Sequence, residues 1–435
     1  MQSSSWAWTA AVCALTGATF LVLAIPGLGS SFTYDESVTV GYFVRAPTFI
    51  DAITTQIVFN NHPAFTALAW LVDALGGTTE AWMRAPAVLA GLACVIVVAR
   101  YATARFGLVP GLAAGAFVAT NPLFVELSRQ ARGYSLAALA VAASSVLGAR
   151  TGGDSDQPLP GTYAVAVAAG LLAHLYVAIA IAAHGAYVLG LRDRVALERW
   201  FQLSVLGGAG AVVGYLPMLG TMAGAAGARD GAFVPNFPEQ VAEALFGAPA
   251  LAALAVATIF FATALRPRTV PAIAVASALV GAVWIVLQPF DLYPRFLVWV
   301  VPAVGLLLSA AAERRLQVSA LALVLVLASV PVVVDRRNDT STIRAVAASA
   351  SALAEADRAV CFLGYFGESF AAYIEPEPPG PDCDVTLVRR DDPQRGSLAP
   401  ARPHHVTADP SVCAFVVPRN QDPLPGLEPG CGPLR

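Results

Sequence analysis

The chain has 435 residues, of which 57% are hydrophobic and only 13% are charged. Soluble domains carry about 25% charged residues, so this composition excludes a single soluble globule. The formal net charge is -3 and no basic stripe interleaved with aromatic residues occurs, which argues against a nucleic-acid partner. Charged residues number 31 in residues 1–334 and 24 in the tail that follows. We therefore divide the chain into a membrane body, residues 1–334, and a soluble tail, residues 335–435.

Apolar runs long enough to cross a membrane recur through the body. A bilayer core about 30 Å thick needs roughly 20 such residues per helix. The run 157–191 is too long for one helix, and polar His174 and Tyr176 near its centre predict two helices that meet there. The sequence thus predicts an all-α polytopic protein with eleven transmembrane helices, at residues 6–28, 85–104, 106–125, 133–149, 157–191 (two), 200–228, 244–265, 269–290, 296–312 and 316–334.

Arginine in the short loops predicts the orientation, because cytoplasmic loops are enriched in basic residues. With the N-terminus in the cytoplasm, ten arginines fall on the cytoplasmic side, namely Arg100, Arg105, Arg150, Arg192, Arg194, Arg199, Arg266, Arg268, Arg314 and Arg315. The external face then receives the segments 29–84, 126–132, 221–243 and 289–295, the junction near His174, and the tail. We expect a multi-pass protein of the plasma membrane whose chemistry takes place on that external face.

The first loop, residues 29–84, is long for a connector between two membrane helices, and loops of this length are usually functional or disordered. Glu36–Phe43 and Phe49–Phe59 are predicted to be short amphipathic helices that lie on the bilayer surface. The apolar stretch Pro63–Leu75 is short for a crossing, and a crossing there would spoil the arginine pattern. We therefore interpret it as interfacial.

The tail is predicted to fold as a small external α/β domain. Strand-like runs lie at Ala359–Leu363, Val385–Arg389 and Cys413–Val417, and a helix-like run at Thr342–Ala356. An external domain can hold disulfides, and four cysteines are candidates for one or two of them, with free buried thiols as the alternative: Cys361, Cys383, Cys413 and Cys431. Their spacing does not resemble a zinc site.

Two adjacent carboxylates, Asp35 and Glu36, follow the first span at the membrane boundary. Charged groups at such a depth need a partner or a function. A structural alternative is a helix N-terminus, where acids interact favourably with the dipole, and Thr33 with Glu36 matches a capping box. Both interpretations stay open from the residues alone.

Five motifs in order carry a resemblance to a known family: TYDES (33–37), NNHPAFTALAWLVDALG (60–76), MRAPAVLAGLACVIVVARYATARFG (83–107), NPLFVELSRQARGYSLAALA (121–140) and LYPRFLVWVVPAVGLLL (292–308). Together they resemble the C-type membrane glycosyltransferases that use polyprenyl-phosphate sugars, in the branch with protein O-mannosyltransferases and the aminoarabinose transferase of lipid A. The resemblance covers roughly the first 310 residues and leaves out the tail.

Family membership implies that a hexose or pentose moves from a lipid phosphate to a hydroxyl acceptor, with inversion at the anomeric carbon. The family's acidic residue of the first loop matches Asp35, and a positioned carboxylate can take the acceptor's proton. Glu36 could bind the acceptor, orient Asp35, or help Asp35 hold a divalent metal, Mg or Mn.

The leaving phosphate needs cationic donors, and arginine grips phosphate oxygens in pairs. Arg295 in a short external turn is placed for this, with membrane snorkelling as its structural alternative. Arg129 and Arg132 are further candidates, although Arg129 could instead pair with Glu126. The complete set of predicted substrate-binding residues is Glu36, His62, Arg129, Gln130, Arg132, Tyr134, His174, Tyr176, Tyr293 and Arg295.

Several of these residues also have plain structural interpretations. His62 could cap or orient the helix that follows it, and His174 could be a satisfied packing residue between helices. Arg84 at the start of the second span is expected to be an interfacial anchor.

Two further function classes remain alternatives to the enzyme. A secondary transporter would usually show repeated halves with broken helices near the midplane, and no such repeat is visible. A non-catalytic relative could bind lipid in cell-envelope assembly, although the presence of both Asp35 and Arg295 on the external face argues against it.

Overall fold

The structure is a computed structural model that describes most of the membrane body and several short segments of the tail. The described residues are 2–55, 61–148, 159–190, 192–220, 240, 243, 294–312, 316–336, 346–348, 350–351, 360–362, 385–389, 402–406, 409–416 and 427–429. The predicted spans at 244–265 and 269–290 lie outside them.

The body is built from helices. They are α1 (Gln2–Ala24), α2 (Tyr34–Val38), α3 (Phe49–Thr54), α4 (Pro63–Ala74), α5 (Glu80–Phe106), α6 (Leu108–Thr120), α7 (Pro122–Ser128), α8 (Tyr134–Gly148), α9 (Thr162–Ala173), α10 (Val177–Gly190), α11 (Arg194–Tyr215), α12 (Val300–Ala312) and α13 (Leu316–Arg336). A π-helix, Thr39–Val44, continues α2 directly. Short 3₁₀ helices follow α11 at Leu216–Met218 and precede α12 at Pro294–Leu297.

Among the described helices, three are long and apolar enough to cross a membrane, and these are α1, α5 and α11. A fourth crossing arises if α6 and α7 are one span bent by 57°. Helix α9 has 12 residues, fewer than the roughly 20 of a straight crossing, and the described parts of α8 and α10 comprise 15 and 14 residues. The chain is an integral membrane protein of mostly helical architecture, as predicted, while the total of eleven spans stays a prediction.

The bend between α6 and α7 has a local cause in the sequence. Pro122 has no backbone N–H to donate to the preceding turn, so a regular helix cannot continue through it. The Asn121 side chain accepts a hydrogen bond from the Phe124 backbone N–H at 3.1 Å and thereby starts α7 afresh. The bend turns the chain toward residues 129–133, which we call the arginine loop.

The run 157–191 contains two helices, as predicted. Helix α9 ends at Ala173 and α10 begins at Val177. Between them His174 is extended, with φ -166° and ψ 124°. The break exposes the carbonyl of Ala173 to hydrogen bonding from outside its own helix.

Helix α5 lies at the centre of the body and packs against α1, α6, α7, α8 and α12. Apolar side chains from these helices form one continuous core, which includes Phe20, Val95, Phe124, Tyr134 and Trp299. Gly91 of α5 permits a close approach to α1 and α7, because a Cβ there would lie 2.6 Å from the Phe20 ring and 2.8 Å from Ser128 Oγ. Small residues at such contacts are typical of membrane helix packing.

The first loop differs from the prediction at its first helix. Residues Glu36 to Val40 are buried, and α2 with its π-helix packs inside the protein rather than lying on the bilayer surface as an amphipathic helix. The cause is a second small core in which Val40 and Val44 contact apolar side chains of α4 and α5. Helix α3 is exposed, with Ile50 62% accessible. Residues 56–60, which complete the second predicted helix, lie outside the described residues.

Helix α4 corresponds to the stretch that we interpret as interfacial. His62 precedes it and Pro63 occupies its first turn, where the missing N–H costs no hydrogen bond. One face is buried through Phe65 and Ala69, and Leu71 on the other face is 50% exposed. This amphipathic pattern suits an interfacial helix, and its depth in the membrane stays a prediction.

The described part of the tail contains five strands, β1 (Val360–Phe362), β2 (Val385–Arg389), β3 (Arg402–Val406), β4 (Asp409–Val416) and β5 (Leu427–Pro429). They form one sheet in the order β1-β2-β4-β3-β5, in which β1 and β2 are parallel and the other pairs are antiparallel. Strands β1, β2 and β4 fall on the three predicted runs. The α/β domain and its boundary at residue 335 stay predictions.

The side chains of the candidate disulfide cysteines lie outside the described part of the structure. Cys383 and Cys431 lie outside the described residues, and of Cys361 and Cys413 only the backbone is described. Their pairing stays a prediction.

Candidate functional site

Glu36 is the buried centre from which the site is assembled. It is the third residue of α2, and its Oε2 accepts a hydrogen bond from the Thr33 backbone N–H at 2.9 Å, which is the carboxylate half of the predicted capping box. Its Oε1 accepts from the Ala131 backbone N–H of the arginine loop at 2.7 Å. One carboxylate therefore joins the first loop to the arginine loop.

Arg84 of α5 neutralises Glu36 through two parallel hydrogen bonds. Its Nε donates to Oε1 at 2.7 Å and its Nη2 donates to Oε2 at 2.9 Å, with the two side chains 3% and 0% exposed. The same guanidinium donates to the carbonyls of Leu28, Ser30 and Ser31. Arg84 is thus a buried structural residue, and the expectation of an interfacial anchor was wrong, because the chain after α1 folds back over it. The geometry gives Glu36 a structural role instead of the predicted contact with substrate or metal.

Asp35, beside Glu36 in sequence, points the other way and lies between two arginines. Arg295 Nη1 donates to its Oδ2 at 2.6 Å, and Arg132 Nη1 lies 3.5 Å from its Oδ1. The Asp35 side chain keeps 16% of its surface accessible. The structure therefore brings together the predicted base and two predicted phosphate ligands, at an accessible position.

His62 joins this group through Arg132. Arg132 Nη2 donates to His62 Nε2 at 2.9 Å, and His62 Nδ1 lies 2.6 Å from the Ala173 carbonyl oxygen at the α9–α10 break. A carbonyl only accepts and a guanidinium only donates, so the ring carries its proton on Nδ1 and accepts at Nε2. His62 is therefore a neutral link between the helix break and the arginine loop.

Burial lowers the pKa of His62 well below its usual value, and the positive charge of Arg132 lowers it further. The unfolded ring takes up a proton near pH 6.5 and the folded one does not, so stability falls as the pH drops below about 6.5, by up to about 1.4 kcal/mol per unit. Thermal unfolding in detergent between pH 7.5 and 5.5 should show this decline. His174, whose pKa burial lowers to about 3, adds to it with the same sign.

The His62→Gln variant should show a shallower decline, because glutamine does not titrate in this range. A slope equal to that of the wild type would contradict a neutral buried His62.

Aromatic side chains line the same region. His174 lies 5.2 Å from the ring of His62 and 5.4 Å from that of Tyr134, and Tyr176 stacks on Phe296 at 4.9 Å. The half-buried Tyr176 and Phe296 provide flat apolar faces that a sugar ring or an isoprenoid chain can contact.

Three predicted residues have no described contact with Asp35, namely Arg129, Gln130 and Tyr293. Arg129 is half-buried and reaches the Pro26 carbonyl at 3.5 Å, and Gln130 is half-buried beside it. Tyr293 lies outside the described residues. Sequence reasoning missed Phe296 and the structural role of Arg84. The sequence did hold a signal for the structural role of Arg84, which stands at the start of a long apolar helix. The loop before that helix carries two adjacent acids, and only one of them is needed as a base.

The residues around Asp35 do not fit a divalent metal. In the described part of the chain, no three His, Cys, Asp or Glu side chains are grouped so as to hold one. Both oxygens of Glu36 are engaged, and Asp35 faces Arg132 and Arg295, whose positive charges disfavour a cation.

Comparison with known proteins adds to this geometry. Residues 60–219 match the family described as dolichyl-phosphate-mannose-protein mannosyltransferase. The crystal structure of apo ArnT from Cupriavidus metallidurans matches with a TM-score of 0.65 at 13% identity, over 95% of this chain and 98% of that one. ArnT bound to undecaprenyl phosphate matches with a TM-score of 0.65 at 15% identity, over 96% and 99%.

An oligosaccharyltransferase of Archaeoglobus fulgidus, in complex with Zn and sulfate, matches with a TM-score of 0.58 at 12% identity, over 87% of this chain and 68% of that one. No curated protein sequence gives a significant match. At these identities the structural likeness establishes the fold.

Proposed function

From the premise that the chain has the fold of the C-type membrane glycosyltransferases, we propose that it transfers a sugar from a polyprenyl phosphate to a hydroxyl acceptor on the external face of the membrane. The observation that carries this proposal is the contact of the accessible Asp35 carboxylate with Arg295 at 2.6 Å. Such a transfer needs a base and a phosphate ligand next to each other in one site.

Asp35 is the proposed base. The acceptor hydroxyl oxygen attacks the anomeric carbon while the Asp35 carboxylate takes its proton. The bond from the anomeric carbon to the phosphate oxygen breaks, and its electron pair leaves with the phosphate. Attack from the side opposite the phosphate inverts the anomeric carbon, and the products are a glycoside and a free polyprenyl phosphate.

Arg295 is the proposed ligand of the leaving phosphate. Its planar fork can grip two phosphate oxygens and stabilise the negative charge that develops on them. Its side chain is 35% exposed, so a lipid phosphate can reach it. In this proposal the half-buried pair Tyr176 and Phe296 packs against the sugar or the first isoprenoid units.

Turnover in proteoliposomes tests the proposal. The purified protein is supplied with undecaprenyl phosphate bearing a radiolabelled hexose or pentose, and loss of label from the lipid fraction is measured. Turnover of at least one donor is expected. Folded protein that neither turns over any of these donors nor binds undecaprenyl phosphate would contradict the proposal and favour a transporter.

Arg295→Ala should weaken the binding of radiolabelled undecaprenyl phosphate to the purified protein by about tenfold to a hundredfold. A hydrogen bond to a charged group contributes roughly 1.5–3 kcal/mol, which corresponds to that range. The affinity of Arg295→Lys for the lipid should lie between those of Arg295→Ala and the wild type, because lysine keeps the charge and loses the planar fork of the guanidinium.

The matched control is Arg45→Ala, since Arg45 is an exposed arginine of the first loop. It should bind the lipid as the wild type does. Equal affinity of the Arg295→Ala and wild-type proteins would show that another group holds the phosphate.

A further inference from the structure

The two arginines that contact Asp35 differ in how firmly they are held. The Arg132 side chain is 3% exposed, whereas that of Arg295 is 35% exposed. Arg295 belongs to the 3₁₀ helix Pro294–Leu297, and Arg132 belongs to the arginine loop between α7 and α8. This difference in burial indicates different roles for the two arginines.

The backbone on both sides of Arg132 is fixed by close contacts. The Ala131 N–H donates to the buried Glu36 carboxylate at 2.7 Å. Gly133 packs so closely that a Cβ there would overlap the Ala173 carbonyl oxygen and lie 3.0 Å from His62 Cβ. Only glycine allows this approach, and the loop cannot shift without opening these contacts.

The Arg132 side chain is fixed as well. Its Nη1 donates to the Asp35 backbone carbonyl at 3.2 Å, and its Nη2 donates to His62 Nε2 at 2.9 Å. His62 is in turn held on the Ala173 carbonyl through Nδ1. A continuous chain of hydrogen bonds therefore runs from the α9–α10 break through His62 and Arg132 to Asp35.

We propose that His62 and Arg132 are positioning residues that hold Asp35 in place throughout the reaction, while Arg295 moves from Asp35 to the phosphate of the arriving donor. The inference rests on the proposed function and deepens it. His62 contacts neither donor nor acceptor, in contrast to its predicted role in substrate binding. Because Arg295 engages Asp35 Oδ2, the carboxylate becomes available as a base when the phosphate takes Arg295 away.

A split between binding and turnover tests this assignment. His62→Leu removes both hydrogen bonds of the ring and should lower kcat about a hundredfold, the cost of a displacement near 1 Å at a catalytic group. Its dissociation constant for undecaprenyl phosphate should stay within about twofold of the wild-type value. In His62→Gln the amide can donate to Ala173 and accept from Arg132, so it should recover at least about tenfold of the lost kcat.

Two outcomes would overturn the assignment. One is a loss of undecaprenyl phosphate binding in His62→Leu as large as in Arg295→Ala, which would make His62 a phosphate ligand. The other is wild-type kcat in His62→Leu, which would remove any positioning role.

Nitrogen-15 NMR of histidine-labelled wild-type protein tests the arrangement even if His62→Leu does not fold or no donor turns over. The His62 ring, assigned by its loss in His62→Gln, should show a neutral ring with the proton on Nδ1. Its shifts should stay unchanged on addition of undecaprenyl phosphate. The opposite tautomer, a charged ring, or a large shift on lipid addition would contradict a fixed His62–Arg132 chain. Absence of turnover with these signals intact would instead count against the glycosyl transfer.

Discussion

Arg84→Ala is expected to lower the free energy of unfolding by about 3–5 kcal/mol, because removing one partner of a buried ion pair leaves the other charge uncompensated. Glu36 would remain at 0% exposure with its charge unpaired. The carbonyls of Leu28, Ser30 and Ser31 would also lose their donor. Unfolding in detergent, followed by circular dichroism, measures the loss.

Two variants control for the loss of an arginine. Arg84→Lys keeps the charge without the planar fork, and its free energy of unfolding should lie between those of Arg84→Ala and the wild type. Arg45→Ala removes an exposed arginine and should change stability by no more than about 0.5 kcal/mol. A loss below about 1 kcal/mol in Arg84→Ala would show that the Glu36–Arg84 pair does not hold the first loop on α5.

Asp35→Asn is expected to lower kcat for donor turnover by about 10²–10⁴-fold, the usual contribution of a general base. Asparagine is close in size to aspartate but cannot take a proton. Binding of undecaprenyl phosphate should be retained, since Arg295 no longer has a carboxylate to compete with the phosphate. Initial rates in proteoliposomes and lipid binding on the same preparations measure both effects.

Asp51→Asn is the matched control for Asp35→Asn. Asp51 is an exposed acid of the same loop, and its backbone N–H donates a hydrogen bond to the Thr48 hydroxyl oxygen at the start of α3. The variant should turn over donor at the wild-type rate. Near-wild-type kcat in Asp35→Asn would remove Asp35 from the chemistry, whereas parallel loss of lipid binding and kcat would make it a binding residue.

Residues far apart in the sequence were predicted to share one face because the arginine pattern fixes which loops lie outside. Asp35 and Arg295 are separated by 260 positions and are in contact. The break at His174 was also predictable, since a long uncharged run with polar residues at its centre cannot be one helix. The five motifs indicated a fold that the comparisons confirm.

Which residues of the first loop are buried could not be predicted from the sequence. Asp35 and Glu36 are neighbours of identical charge type, and only the structure separates them, because α2 turns one toward Arg84 and the other toward Arg295. The amphipathic pattern of Glu36–Phe43 fits a membrane surface as well as a protein core. The structure selects the core, since the partners of this segment come from α4 and α5.

The partners of His62 also lay beyond sequence reasoning. One is the backbone carbonyl of Ala173, 111 positions away, and no sequence pattern indicates a contact with a backbone group. The other is Arg132, which its charge and its predicted external position suggested as a phosphate ligand. Hydrogen bonds that close a chain between two loops depend on the packing of α4, α8 and α9, and no local pattern records that packing.

The position of the phosphate in a structure of the wild-type protein bound to undecaprenyl phosphate tests the central claim most directly. The account predicts the phosphate within hydrogen-bond distance of Arg295, beside Asp35, with Arg132 still on His62. A phosphate bound elsewhere, with Arg295 still on Asp35 at about the 2.6 Å seen here, would contradict it.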